Sequence, residues 1–175
     1  MFGIRFLALS RALFPLIAAP ALMGGLGIRQ DFEGRLLAAQ NRERIAMGVA
    51  PLKWNPSLAT GAQVWAHYLA QTGRFEHSPD DLAVEPEGEN LWAGSVDQYQ
   101  PEEMIGLWVA EKRDFKPGIF PNNSRAGRVG SVSHYTQLVW AETNQVGCAL
   151  EKGRSEDFLV CRYSRAGNVL GERPF

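Results

Sequence analysis

The 175-residue chain has only three histidines, so each can be weighed in its own context. Imidazole is a ligand for zinc and related ions, and it is the side chain that titrates nearest neutral pH. His67 falls about 180° from Leu58 on a helical wheel, which turns it toward solvent. His77, in Phe75-Glu76-His77-Ser78-Pro79, opens a long loop, and His134 leads the run His134-Tyr135-Thr136-Gln137-Leu138-Val139-Trp140. Two carboxylates stand out beside them. Glu89 lies between Gly88 and the apolar Leu91-Trp92, while Glu111 shares a helical stripe with Met104, Trp108 and Phe115. A carboxylate on a core-facing stripe needs partners, because burying it unpaired is costly. Two histidines and two glutamates of this kind can hold a divalent ion, or use a carboxylate as general base toward water. Their separation in sequence leaves open whether they converge or are satisfied separately.

The elements that must position these residues can be read from periodicity. Asp31 is placed to cap a helix over 31–47, with Phe32, Leu36, Leu37 and Ile45 as its apolar members and Gly48 as its stop. Residues 51–56 form a connector. A second helix over 56–71 carries the stripe Leu58, Ala62, Trp65 and Leu69 and ends at Gly73. A third opens at Gln100-Pro101-Glu102-Glu103, where proline suits the first turn and carboxylates suit the positive end of the dipole. Segments 75–98 and 116–133 show no sustained period and read as long ordered loops, the first with one short helix at most. Three apolar runs, 136–140, 145–151 and 157–163, read as strands. Pairing the last two about the turn Lys152-Gly153-Arg154-Ser155-Glu156 sets Leu150 opposite Leu159 and Cys148 opposite Cys161. Opposed antiparallel residues are about 4.5–5.5 Å apart at Cα, within disulfide reach. Helices first and a small antiparallel sheet last indicate an α+β fold with helices packed on the sheet.

Composition bounds the class. With 45% hydrophobic and 21% charged residues and a net charge of −1, the chain fits one globular domain, and no basic stripe marks it for nucleic acid. Arg5 and Arg11 precede an uncharged segment, 12–28, that contains the small-x-small site Ala19-Pro20-Ala21. This reads as a signal peptide over residues 1–21, followed by a linker over 22–30 and a domain over 31–175. An N-terminal membrane anchor is the alternative, and membrane contact is expected only if that segment stays uncleaved. Pro15 and Pro20 interrupt the segment, and it falls short of the roughly 20 residues of a stable span. Export, to the medium or the periplasm, would place the cysteines where a disulfide persists.

Several separate motifs, in order, resemble the CAP superfamily of cysteine-rich secretory proteins, antigen 5 and pathogenesis-related proteins (the SCP domain). Asn41-Arg42-Glu43-Arg44 with Val49-Ala50-Pro51-Leu52-Lys53-Trp54-Asn55 is similar to the family's first helix and connector. Gly88-Glu89-Asn90-Leu91 matches its GENL motif, and Trp108-Val109-Ala110-Glu111 with Phe115 its W-x-x-E helix. Residues 134–140 match HYTQ-x-x-W, and Cys161-Arg162-Tyr163, Gly167-Asn168, Gly171 and Pro174-Phe175 the C-terminal signature. The resemblance implies an α-β-α sandwich with a small antiparallel sheet between helices and a central cleft. It implies a tetrad of His77, Glu89, Glu111 and His134 lining that cleft, with His77 and His134 as ligands for zinc or another divalent cation. There are departures: one cysteine pair instead of several, Ser133 where glycine is common, and Arg165-Ala166 in place of a proline-rich stretch. No cysteine-rich extension follows Phe175, so the channel-regulating activity of some members is not carried over. A single-domain, disulfide-poor chain of this kind looks more like a bacterial member.

Three functions compete at this point. The first is a secreted, non-enzymatic module for defence or host interaction that binds an apolar, lipid- or sterol-like ligand, with Trp92, Trp108 and Trp140 near the tetrad segments. The alternative is a metal-assisted protease or esterase with Glu89 or Glu111 as its base. The motifs HExxH and GxSxG are absent, and Ser78, Ser95, Ser131 or Ser133 would each need a histidine beside it. The third is a purely structural polar network.

Overall fold

In a computed structural model, residues 23–79 and 86–175 are described, with side chains from Asp31 onward. The signal-peptide reading of 1–21 lies outside the described residues. Among those described, no helix is long and apolar enough to cross a membrane.

The elements are α1 (Met23–Ala46), β1 (Lys53–Trp54), α2 (Pro56–Thr72), β2 (Gly88–Ser95), α3 (Pro101–Ala110), α4 (Ser133–Leu138), β3 (Gln145–Lys152) and β4 (Glu156–Ser164). A tight 3-10 turn, Glu111–Asp114, continues α3. The sheet order is β1-β3-β4-β2, antiparallel throughout except for the parallel β1/β3 pair. One face of the sheet packs on α2 through Ala62, Ala66, Leu69, Leu91, Ala149, Phe158 and Val160. The other face packs on α1, α3 and α4 through a larger core that includes Leu36, Met104, Trp108, Leu138, Val146 and Leu159. This is the expected α-β-α sandwich. In the β3/β4 hairpin, Leu150 faces Leu159 and Cys148 faces Cys161, and the two cysteines form a disulfide.

Local chemistry explains the helix ends. Asn55 caps α2 by accepting from Ser57 N at 2.8 Å, Pro56 takes the first helical position, and Gly73 closes the helix at φ 67° with its N–H on Leu69 O. At the start of α3 the Glu103 carboxylate accepts the Gln100 N–H at 2.7 Å.

Four sequence expectations need correction. α1 begins at Met23, so Asp31 lies inside the helix instead of capping it. Nothing between Ile28 and Asp31 breaks a helix. The buried face of α1 is also different. Ile45 is 65% exposed, whereas Gln40 and Arg44 are fully buried, because their polar ends find partners inside. The loop expected over 75–98 contains β2. Its glycines read as loop punctuation, but here they permit close packing: a Cβ on Gly88 would lie 2.1 Å from Gln137 Oε1, and one on Gly94 2.4 Å from the Trp92 ring. Finally, 136–140 is not a strand. Its first three residues complete α4, with Thr136 N on Val132 O at 2.8 Å, and residues 135–140 are all buried, which erases any period. The connector 51–56 additionally supplies β1.

Glycines make opposite predictions at two positions. Gly147 lets β3 approach the first turn of α2; an added Cβ would lie 2.2 Å from Ala59 N. Gly106, inside α3, has nothing within 4 Å of an added Cβ. Gly147→Ala is expected to destabilise by about 3 kcal/mol or more, and Gly106→Ala to stabilise by about 0.5–1 kcal/mol. Urea denaturation of both variants checks this; the reverse order would contradict the packing described.

Candidate functional site

The four expected residues form two histidine–carboxylate pairs. His77 Nδ1 is 2.7 Å from Glu89 Oε1, and His134 Nδ1 is 2.6 Å from Glu111 Oε1. The pairs share a second feature. Glu89 Oε1 also accepts the N–H of Ser78 at 3.0 Å, and Glu111 Oε2 accepts the N–H of Tyr135 at 3.0 Å. Each carboxylate therefore grips one histidine ring and the backbone of the residue that follows it. A carboxylate accepts and cannot donate, so each Nδ1 carries its proton toward the glutamate, and in the neutral form of each ring Nε2 keeps its lone pair.

The elements explain the placement. Glu111 opens the 3-10 turn at the end of α3, three residues after buried Trp108, whose indole N–H donates to Leu91 O at 3.1 Å. The Trp108 ring stacks on His134 with centroids 6.0 Å apart. Trp108 is thus core and, at the same time, one wall of the histidine's surroundings. Asn90, next to Glu89 on β2, donates to His134 O at 3.0 Å and stitches β2 to α4. His134 sits in the first turn of α4.

Glu89 has two more neighbours. Ser78 Oγ donates to its Oε2 at 2.8 Å, and Arg162 Nη2 lies 3.7 Å from the same oxygen. Arg162 faces Glu89 in the β2/β4 register, and its Nη1 donates to Glu87 Oε2 at 3.1 Å. Burial works to raise the Glu89 carboxyl, but hydrogen bonds from His77 and Ser78 outweigh it and hold the group below its ordinary value. The hydrogen bond to Glu89 raises His77 above the ordinary imidazole value, against a smaller opposing effect of burial.

Among the described residues no hydrogen bond or ion pair links one pair to the other, and no three His, Cys, Asp or Glu side chains converge as a metal-ion site. His67 is exposed on α2, as expected. Sequence reasoning weighed Ser78 only as a possible nucleophile and gave no site role to Arg162, Tyr135, Glu43 or Lys112. Arg162 was within reach once β2 was recognised, because the strand register sets it opposite Glu89.

A sandwich of this order, with a disulfide-linked hairpin and two histidines clamped by glutamates, defines a CAP domain. The chain belongs to that family: the model for CAP, the cysteine-rich secretory protein family, matches residues 37–163. It is 36% identical over 138 residues to a PR-1 type pathogenesis-related protein of Sambucus nigra, covering 78% of each chain. It is 34% identical over 151 residues to pathogenesis-related protein PR-1 of Medicago truncatula, covering 83% of this chain and 80% of that one. Venom allergen 3 of Solenopsis invicta is 38% identical over 141 residues, which cover 72% of this chain and 56% of the allergen. Among solved structures, that of NaASP2 with Zn2+ superposes with a TM-score of 0.72 at 21% identity, covering 83% of this chain and 85% of that one. At that identity the likeness speaks for the fold.

The His77–Glu89 contact predicts a pH profile. A raised His77 contributes stability that is complete below the unfolded imidazole value of about 6.5 and is lost as pH rises through the folded value. A depressed Glu89 contributes stability that is complete above the unfolded carboxyl value of about 4.3 and is lost as pH falls through the folded value. The contact should therefore help most between about pH 4.3 and 6.5. In an NMR titration, His77 should titrate above about 6.5 and fall back in Glu89→Gln. An unchanged His77 midpoint in that variant would refute the assignment.

Proposed function

We propose that the chain is an exported CAP module of the pathogenesis-related kind, acting in defence or host interaction, whose cleft binds a divalent cation between His77 and His134. One observation carries the reading: each imidazole has its Nδ1 committed to a glutamate, which leaves the Nε2 lone pair of each neutral ring available to an ion. Metal-binding histidines are commonly oriented in this way by a carboxylate behind the ring. The donor set does not fit a closed four-ligand structural zinc centre. It fits an open site with two imidazoles and solvent making up the rest. His77 and His134 would hold the ion, which when bound supplies a Lewis-acidic centre. Glu89 and Glu111 would fix the rings, and Arg162 and Ser78 would keep Glu89 in place. The Zn2+ in the NaASP2 structure supports the choice of ion. Ser78 Oγ is given to Glu89 and to neither imidazole, which weighs against a serine nucleophile there.

Isothermal titration with Zn2+ at neutral pH tests the reading. One ion per chain is expected, lost on either His77→Ala or His134→Ala, and weakened about 10–100-fold by Glu89→Gln or Glu111→Gln. Absence of binding, or two independent sites each lost only with its own histidine, would overturn it. Turnover of an ester or peptide that depends on Glu89 or Glu111 would favour the hydrolase alternative.

The lipid- or sterol-like ligand has a candidate place in a groove of about 290 Å³ between α1 and α3. Ala39, Ile105, Gly106 and Val109 form its apolar wall, with Arg42, Glu43 and Glu102 as its polar lining. An apolar chain suits this wall, with Arg42 as the cation that a polar head could meet. Native mass spectrometry with palmitate should show one bound molecule, lost in Gly106→Phe, which fills the groove, while Zn2+ binding is unchanged. Equal palmitate retention in both proteins would place the ligand elsewhere.

A further inference from the structure

We propose that Glu43 of α1 is a positioning residue for the Glu111–His134 pair. Its Oε1 accepts two hydrogen bonds, from Lys112 Nζ at 2.9 Å and from Tyr135 Oη at 3.0 Å. Lys112 directly follows Glu111 in the chain, and Tyr135 directly follows His134. One carboxylate therefore holds the residue after each member of the pair. The Tyr135 N–H returns to Glu111 Oε2 at 3.0 Å, which closes a ring of contacts through α1, the 3-10 turn and α4.

The two elements carrying the pair are short. Glu111–Asp114 has four residues and Ser133–Leu138 six, too few to hold themselves rigid through their own backbone bonds. Glu43 gives both an anchor on a 24-residue helix, at a point that does not move easily. Its neighbour Arg44 is fully buried and bonded to the carbonyls of Leu138, Trp140 and Thr143. The Glu43 side chain is itself only 13% exposed, and it touches neither imidazole. Its influence on the site therefore runs through Lys112 and Tyr135. The consequence for cation binding rests on the function proposed above; the positioning itself does not.

The test uses the full chain, first without metal. His134 stacks on Trp108 with an interplanar angle of 14°, so a small tilt changes the ring-current shift of its carbon-bound protons. Glu43→Ala should move the His134 resonances and leave those of His77 in place. Glu43→Gln, which keeps an acceptor for both donors, should restore them. Lys112→Met and Tyr135→Phe each remove one arm and should give smaller shifts in the same direction; they also serve if Glu43→Ala does not fold. Zn2+ affinity in Glu43→Ala should fall about 10-fold. Unmoved His134 resonances in Glu43→Ala would overturn the proposal. So would equal movement of His77 and His134 without rescue by glutamine, which marks a general loss of structure. If the unsubstituted protein binds no Zn2+ and His134 still shifts in Glu43→Ala, positioning stands and the cation-binding reading falls.

Discussion

The helical layer depends on one buried cation. Arg44 is fully buried and has no carboxylate partner among the described residues; its guanidinium donates to the carbonyls of Ala50, Leu138, Trp140 and Thr143 at 2.7–2.9 Å. Burial pushes its pKa down to about 10, so it stays protonated at neutral pH. A guanidinium can satisfy several acceptors in one plane, and three of these, the carbonyls of Leu138, Trp140 and Thr143, would otherwise be stranded in the core. Leu138 ends α4, and Trp140 and Thr143 lie on the path from α4 to β3. Arg44 thus gives partners to carbonyls that a helix end leaves open, and it fixes α1, α4 and the entry to the hairpin relative to one another. Loss of one member of such a set leaves several buried polar groups unpaired. The other end of α4 is held by Asn168, which donates to Ser133 O at 2.9 Å and accepts from Thr136 Oγ1 at 2.6 Å. A six-residue helix held at both ends can carry a functional side chain; free, it would not persist.

A second buried thread of polar contacts crosses the sheet. Tyr163 Oη donates to Gln40 Oε1 at 2.8 Å, and Asn90 Nδ2 reaches Tyr163 Oη at 3.4 Å and His134 O at 3.0 Å. It joins α1, β4, β2 and α4 beside the disulfide. Apolar packing alone tolerates small slides between layers, whereas a satisfied polar chain accepts only one arrangement. The position of β2 relative to α4 is set in this way, and with it that of Glu89, the neighbour of Asn90 on the strand.

What the sequence disclosed follows from which constraints are local. The hairpin and its disulfide were legible because turn length and register fix which residues oppose one another. The ends of α2 were legible because Asn55, Pro56 and Gly73 act within a turn of themselves. β2 and α4 were not, because both are buried on nearly all sides, and burial without a polar face leaves no period to read. Gly88 and Gly94 added a false signal: they are small to admit Gln137 and Trp92, a demand that arises only in the packed state. For the site, periodicity established that Glu111 needs a partner. The resemblance to the CAP family supplied His134, and geometry shows the contact. Glu43 and Lys112 are far apart in the chain and carry no joint signal there, and only the packing of α1 beside α3 and its 3-10 extension brings them together.

The two histidines are clamped alike but are not equivalent. The side chain of His134 is 28% exposed, lies between the Glu111 carboxylate and the Trp108 ring, and belongs to a helix anchored at both ends. The side chain of His77 is 63% exposed and stands in a connecting segment, held among the described residues by Glu89. Glu89 in turn divides its charge among His77, two groups of Ser78 and the nearby Arg162, so its grip on any one donor is weaker than a dedicated carboxylate would give. Ordering a side chain costs entropy, and that cost has already been met at His134 by folding but only in part at His77. A ligand that engages both rings would find the first in place and would have to fix the second. Affinity at such a site is then governed by how firmly Glu89 holds His77, and selectivity by the rigid geometry around His134.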